Sequence, residues 1–148
     1  MFGDVHMNLT RILLASLGGT VAYFVYGFAM FAAWPSMKTE FKKYPAIYRS
    51  EESIMKVMPF GMVGILISIV IVAILYAKMY SAGGDVMSGL VSGIYLGALV
   101  GLFVVCVFAI HNYVNLNIGV KLTVYQSIAY FFQWIVVVAA IGLIYKPS

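Results

Sequence analysis

Four long apolar stretches constrain this chain more than any other feature of its sequence. They cover residues 12–33, 59–80, 87–110 and 123–145, and apart from Lys78 they contain no Asp, Glu, Lys or Arg. Each is long enough to cross about 30 Å of hydrocarbon, which takes roughly 20 helical residues. Open strands cannot cross lipid, and the alternation of a barrel strand is missing. The sequence therefore predicts an all-α fold, an integral membrane four-helix bundle.

The composition agrees with that fold. Hydrophobic residues make up 64% of the 148 positions and charged residues only 9%, whereas a soluble domain carries about 25% charged residues. We therefore expect one transmembrane domain over residues 1–148. The single cysteine, Cys106, excludes a disulfide framework and a cysteine metal cluster, and its place deep in the third stretch predicts a buried, inert thiol.

Basic residues concentrate on one side of the predicted helices. The loop of residues 34–58 and the connection before the fourth helix hold six of the nine: Lys38, Lys42, Lys43, Arg49, Lys56 and Lys121. The opposite side holds Arg11, Lys78 and Lys146. By the positive-inside rule the loop is cytoplasmic and both termini lie on the other side of the cell membrane. The net charge of +4 is thus a topology signal and does not indicate nucleic-acid binding.

The loop between the first two helices has structure of its own. Met37, Phe41 and Tyr44 recur at helical spacing, and Pro45 ends the pattern. This predicts a short interfacial amphipathic helix, with lysines that reach anionic headgroups at the membrane surface: Lys38, Lys42 and Lys43. A second helix start at Ser50 either precedes the second span or runs into it, in which case Pro59 marks a kink.

Four glycines follow one another at four-residue spacing in the third span: Gly89, Gly93, Gly97 and Gly101. On a helix they share one face. In water each interior glycine costs about 1 kcal/mol relative to alanine, but in a bilayer the groove lets a second backbone approach closely. The series predicts a glycine zipper, a helix-packing face whose partner is either another helix of this chain or another molecule.

Two rows of polar side chains lie on the first and fourth helices. They comprise Ser16, Thr20 and Tyr23 on the first helix, and Gln126, Tyr130 and Gln133 on the fourth. One interpretation is hydrogen bonding across helices, at about 0.6 kcal/mol for each bond. The other is a cavity for a small amphiphile such as a quinone or a lipid.

The histidines do not indicate a cofactor. His6 precedes the first helix and His111 follows the third, so they lie on opposite sides of the bilayer and cannot ligate one haem. His111 remains a candidate contact for a polar headgroup. We see no nucleophile–base pair, metal-ligand cluster or phosphate loop, and no charged group deep in a span such as ion-coupled transporters use. We expect no cofactor, no metal and no enzyme activity.

Three segments carry a resemblance to a known family. They are YFVYGFAMFAAWP at the end of the first helix, the glycine-rich third helix, and NYVNLNIGVKLTVYQSIAYFFQWIVVVAAIGL near the C-terminus. Over most of its length the chain resembles the small four-helix bacterial membrane proteins of domain of unknown function 1761, although its lysine-containing first loop departs from the shorter connection expected there. That family has no assigned activity, so the resemblance implies an architecture and no catalytic residue.

The sequence supports two hypotheses of function. The first is a structural or accessory subunit whose glycine-rich helix packs against a second copy or a larger membrane complex. The alternative is a binder or carrier of a small amphiphile that uses the polar rows on helices one and four. Membrane lipids are expected partners under either hypothesis, and nucleic acid under neither.

Overall fold

The computed structural model describes residues 8–80 and 86–145. Its helices are α1 (Leu9–Ala33), α2 (Pro35–Lys42), α3 (Glu51–Met79), α4 (Val86–Val104), a π-helical segment (Val105–Ile110), α5 (His111–Asn115) and α6 (Val120–Ile144). Within this part of the chain, four helical stretches are long and apolar enough to cross a membrane: Leu9–Ala33, Glu51–Met79, Met87–Asn115 and Val120–Ile144. The predicted all-α four-helix class is confirmed.

Local sequence sets where the first three helices begin. Asn8 caps α1, because its Oδ1 accepts a hydrogen bond from the backbone N–H of Arg11 at 3.1 Å. Pro35 opens α2 at a position where its missing N–H costs nothing. Ser50 caps α3, which continues through Pro59 to Met79. The helix start at Ser50 and the second span are therefore one helix, which begins well before the predicted boundary at residue 59.

Helix α6 lies at the centre of the bundle. It packs against α4 and α1, and more lightly against α3, while α1 also packs against α3. The buried core joins residues from these helices: Ile12, Ala15, Ile69, Ala73, Tyr76, Val137, Val138 and Ile141. Tyr76 donates a hydrogen bond from its hydroxyl to the Gly89 carbonyl at 2.8 Å. The core is therefore strongest at the end of the bundle where α3 finishes and α4 begins.

The first half of α3 contributes little to this core. Every residue from 54 to 64 is exposed, and the first buried residue of the helix is Ile69. Phe60 is 82% exposed, and a Cβ built at Gly61 or Gly64 would meet nothing within 4 Å. This half of α3 therefore stands away from the other helices.

The π-helical segment keeps one face of the third span on α6. Residues four apart on an α-helix rotate by about 40° for each step, so a row at that spacing winds away from its partner. A π-helical turn has i→i+5 hydrogen bonds and holds more residues than an α-helical turn. Residues four apart in it therefore rotate in the opposite direction, which brings the row back toward its partner helix. Ala109 is accordingly 0% exposed, and the segment contacts α6. Cys106 lies on its exposed side, so the expectation of a buried thiol is wrong.

Candidate functional site

The glycine face of α4 is covered by α6. A Cβ built at Gly93 would lie 2.5 Å from the Val138 carbonyl oxygen, and one at Gly97 would lie 2.8 Å from the Ile135 Cα. Gly89 and Gly101 meet the backbones of Gly142 and Phe131 in the same way. The two helices therefore touch backbone to backbone along the whole series. In this packing the face is occupied within the chain and offers no surface to a second molecule.

The polar row of α6 faces α1 and the segment that follows α2. Gln133 donates from Nε2 to the Tyr23 carbonyl of α1 at 3.1 Å. Gln126 donates from Nε2 to the Tyr48 hydroxyl at 3.1 Å. Tyr130 lies between them in sequence and on the same face of α6, because residues three and four apart on a helix lie above one another. Four predicted ligand-row residues, Tyr23, Gln126, Tyr130 and Gln133, are thus brought to one side of α6.

The Ser16 and Thr20 hydroxyls of α1 do not reach across the bundle. Ser16 donates to the Ile12 carbonyl at 2.7 Å, and Thr20 donates to the Ser16 carbonyl at 2.8 Å. Both bonds stay within α1, because a Ser or Thr hydroxyl in a helix can reach the carbonyl four residues earlier. The prediction of interhelical bonds is therefore wrong for this pair, although it holds for Gln133.

Among the described residues, the Gln126 side chain has a hydrogen-bond partner for its amide nitrogen but none for its amide oxygen. It is 1% exposed, and its Oε1 is buried with no hydrogen-bond partner among the described residues. An unpaired buried carbonyl of this kind costs about 1–3 kcal/mol. Tyr48, the partner of its amide nitrogen, belongs to the segment between α2 and α3. Gln126 therefore couples the polar row to that segment.

Of the two histidines, only His111 belongs to the part of the chain that the structure describes. His111 begins α5 with an exposed side chain, and its backbone carbonyl accepts from Asn115 Nδ2 at 2.8 Å. His6 falls outside the described residues. Across residues 8–80 and 86–145, no three His, Cys, Asp or Glu side chains are grouped closely enough to hold a metal ion.

A buried carboxylate fixes α2 to the start of α6. Glu40 is 4% exposed, and its Oε1 accepts from Lys43 Nζ at 2.6 Å and Lys121 Nζ at 3.2 Å. The hydrogen bond from Lys43 is the main cause that lowers the pKa of Glu40. Desolvation opposes this effect and the Lys121 ammonium supports it. Tyr44 adds a second tie, because its hydroxyl accepts from the Gly119 N–H at 2.8 Å.

A groove of about 620 Å³ opens beside this anchored segment. Its walls come from the end of α1, from α2, from the 45–50 segment and from the start of α3: Phe31, Lys38, Phe41, Lys42, Pro45, Ile47, Tyr48, Arg49, Ser50, Glu51 and Ile54. Phe31 stacks on Phe41 with ring centroids 6.1 Å apart, and Phe41 meets Tyr48 edge-on at 4.9 Å. We call this cavity the α2 groove. Its volume is in the range of small-molecule pockets.

The α2 groove combines an aromatic wall with excess positive charge. Lys38, Lys42 and Arg49 line it, against the single carboxylate of Glu51. Lys38 lies 3.9 Å from that carboxylate, a long and exposed contact. In the described part of the chain no carboxylate lies within 4.0 Å of Lys42 or Arg49. Two cations of the groove, Lys42 and Arg49, therefore have no carboxylate partner among the described residues.

A second cavity of about 370 Å³ lies between α3 and α4, toward the opposite end of the bundle. Tyr76, Tyr80, Ser92 and Tyr95 contribute to its lining, and none of the described lining residues is charged. The hydroxyl of Tyr80 hydrogen-bonds with that of Ser88 at 3.2 Å. Among the described residues, this second cavity has fewer polar lining groups than the α2 groove, and its volume is smaller. The α2 groove is therefore the better candidate for a ligand.

The sequence analysis singled out some residues that line the α2 groove, but it did not predict that they form a groove. Lys38, Lys42 and Lys43 were predicted to lie at the membrane surface, but they divide in the structure. Lys38 and Lys42 line the groove, whereas Lys43 pairs with Glu40. Phe31 and Ile54 belong to predicted helices and carry no signal of a site. Only folding of the loop brings these residues together.

No family model matches the chain, and neither the curated proteins nor the solved structures include one that is significantly similar. The resemblance to domain of unknown function 1761 therefore stays a prediction.

Proposed function

We propose that this protein binds a small amphiphile at the membrane, in the α2 groove. The observation that carries the proposal is the combination of an aromatic wall, a volume of about 620 Å³ and unpaired cations in one open cavity. An amphiphile needs both an apolar surface and a polar one, and amphipathic interfacial helices supply both. The function is thus binding, with no catalytic step.

The uncovered half of α3 supports this proposal. Ile54 lines the groove, and the exposed turns from Val57 to Gly64 present only apolar side chains and glycine. An acyl or isoprenoid chain can lie along these turns while its polar end occupies the groove. The polar row of α6, by contrast, is closed against α1 by the bond between Gln133 and Tyr23. We therefore place the ligand at the loop end of the bundle and not within the row.

Filling the groove tests the proposal. Ile54→Trp adds bulk at the groove wall and should lower amphiphile retention about tenfold, equivalent to 1.4 kcal/mol. The matched control is Ile71→Trp, which makes the same chemical change at an exposed position of α3 beyond those turns and outside the groove. Both proteins are purified gently from native membranes, and native mass spectrometry counts the co-purified amphiphile. Equal retention by the two variants would contradict the groove as the site.

An accessory subunit is the second candidate function. The observation in its favour is again the first half of α3. Gly61 and Gly64 are exposed there, and a Cβ added at either would meet no described atom within 4 Å. A partner helix could approach closely there, whereas α6 already covers the glycine face of α4. Native-gel sizing of the gently purified protein separates the candidates. A stoichiometric larger complex supports the accessory role, and a lone chain with bound amphiphile supports the binding role.

We propose an orientation with the α2 groove on the cytoplasmic side of the cell membrane. The basis is the positive-inside rule, since six of the nine Lys and Arg residues lie at that end of the bundle. The described ends of the chain, near Asn8 and Tyr145, then lie on the opposite side.

A further inference from the structure

We infer that the ligand of the α2 groove carries an anionic headgroup, a phosphate or a carboxylate, which is held by Lys42 and Arg49. This inference rests on the proposed function and names its ligand class. Among the described residues, four charged side chains line the groove: Lys38, Lys42, Arg49 and Glu51.

Lys38 is the groove cation that has a partner. Its Nζ lies 3.9 Å from Glu51 Oε1, and both side chains are exposed. Such a pair is worth little on its own, but it neutralises the one carboxylate that lines the groove. Lys42 and Arg49 are left without a counter-charge among the residues that the structure describes.

The nearby buried carboxylate does not serve these two cations. Glu40 precedes Lys42 by two residues, but its Oε1 already accepts from Lys43 and Lys121. Helical geometry explains the division, because residues two apart point to different sides of α2. Glu40 therefore points into the bundle, where it is buried, and Lys42 points into the groove.

The two cations suit an oxyanion better than a neutral polar group. Guanidinium presents a planar fork of donors that matches phosphate or carboxylate oxygens, and the Lys42 ammonium adds a point charge. Each basic residue near an anionic headgroup favours binding by about fivefold, so the two together favour it by more than about tenfold. Phe31 and Phe41 line the same cavity and supply the surface for the adjoining hydrocarbon. A free inorganic anion would leave that aromatic wall unused.

The experiment compares four amphiphiles on the full-length protein in neutral detergent. They are dioleoyl phosphatidylglycerol and oleate as anionic probes, dioleoyl phosphatidylcholine as a zwitterionic probe, and monoolein as a neutral one. Native mass spectrometry gives the bound fraction of each. We expect the wild-type protein to prefer an anionic probe over phosphatidylcholine by about tenfold or more. Preference for phosphatidylglycerol identifies a lipid phosphate as the source, and preference for oleate identifies a carboxylate.

Charge-removing variants locate the preference. Lys42→Gln with Arg49→Gln should abolish it, while Lys56→Gln should keep it. Lys56 is the matched control, because it lies in the same stretch of sequence, pairs with Glu52 and does not line the groove. Arg49→Lys retains the charge and should keep most of the preference. Size-exclusion profiles and circular dichroism verify that each variant is folded.

The outcomes separate this inference from the function on which it rests. Equal binding of anionic, zwitterionic and neutral probes would overturn the anionic ligand and leave amphiphile binding intact. An anionic preference that survives the double variant, or that Lys56→Gln also removes, would overturn the assignment to Lys42 and Arg49. Failure of all four probes to bind would contradict the proposed function itself.

Discussion

At the scale of single residues, close contact between backbones favours glycine at position 93. Any Cβ there would lie 2.5 Å from the Val138 carbonyl oxygen. Gly93→Ala should therefore destabilise the protein by about 1–3 kcal/mol, the usual range for overpacking. The matched control is Gly64→Ala, which makes the same chemical change on a helix where nothing lies within 4 Å. Thermal unfolding in detergent, followed by circular dichroism, compares the two variants. An unchanged Gly93→Ala protein would contradict the packing of α4 on α6.

At the scale of elements, the attachment of α2 to α6 depends on pH through Glu40. Its folded pKa is lowered, so its contribution to stability is present above the unfolded pKa and is lost as pH falls through the lowered folded value. Glu40→Gln should therefore lower the thermal midpoint at pH 7. The gap from wild type should close below the folded pKa, where Glu40 itself is neutral. Thermal midpoints measured between pH 7 and pH 3 follow this difference.

Glu52→Gln is the control for that series. Glu52 pairs with Lys56 at 3.1 Å, but both side chains are largely exposed, and exposed pairs contribute little. Its midpoint should follow the wild type over the whole pH range. Identical curves for the Glu40 and Glu52 variants would show that burial of the Glu40 pair does not stabilise the α2 attachment.

At the scale of the whole molecule, the two ends of the bundle differ in packing and in charge. The core is built at the end near Tyr76, whereas the α2 end carries the groove and most of the basic residues. In a Cys106→Ser background, Thr39→Cys should react with a membrane-impermeant maleimide only after cells are permeabilised. Lys78→Cys, at the other end of the bundle, should react in intact cells. The reverse pattern would contradict a cytoplasmic groove.

The sequence by itself determined the elements. Hydrocarbon thickness sets the length of a span, and hydropathy is a local property, so four spans can be read directly from composition along the chain. The short helix α2 and the cap at Ser50 are local in the same sense. Even the glycine face of α4 followed from spacing alone.

Only the tertiary structure decided what those elements meet. The row of glycines is equally suited to an internal or an external partner, and α6 is chosen by the packing of the whole bundle. The α2 groove depends on contacts between distant residues, such as Tyr48 with Gln126, which are 78 positions apart. No periodicity encodes such a pair, because periodicity reports which residues share a face and not which face lies opposite. The candidate site was therefore visible in the sequence only as a cluster of lysines predicted to contact anionic headgroups.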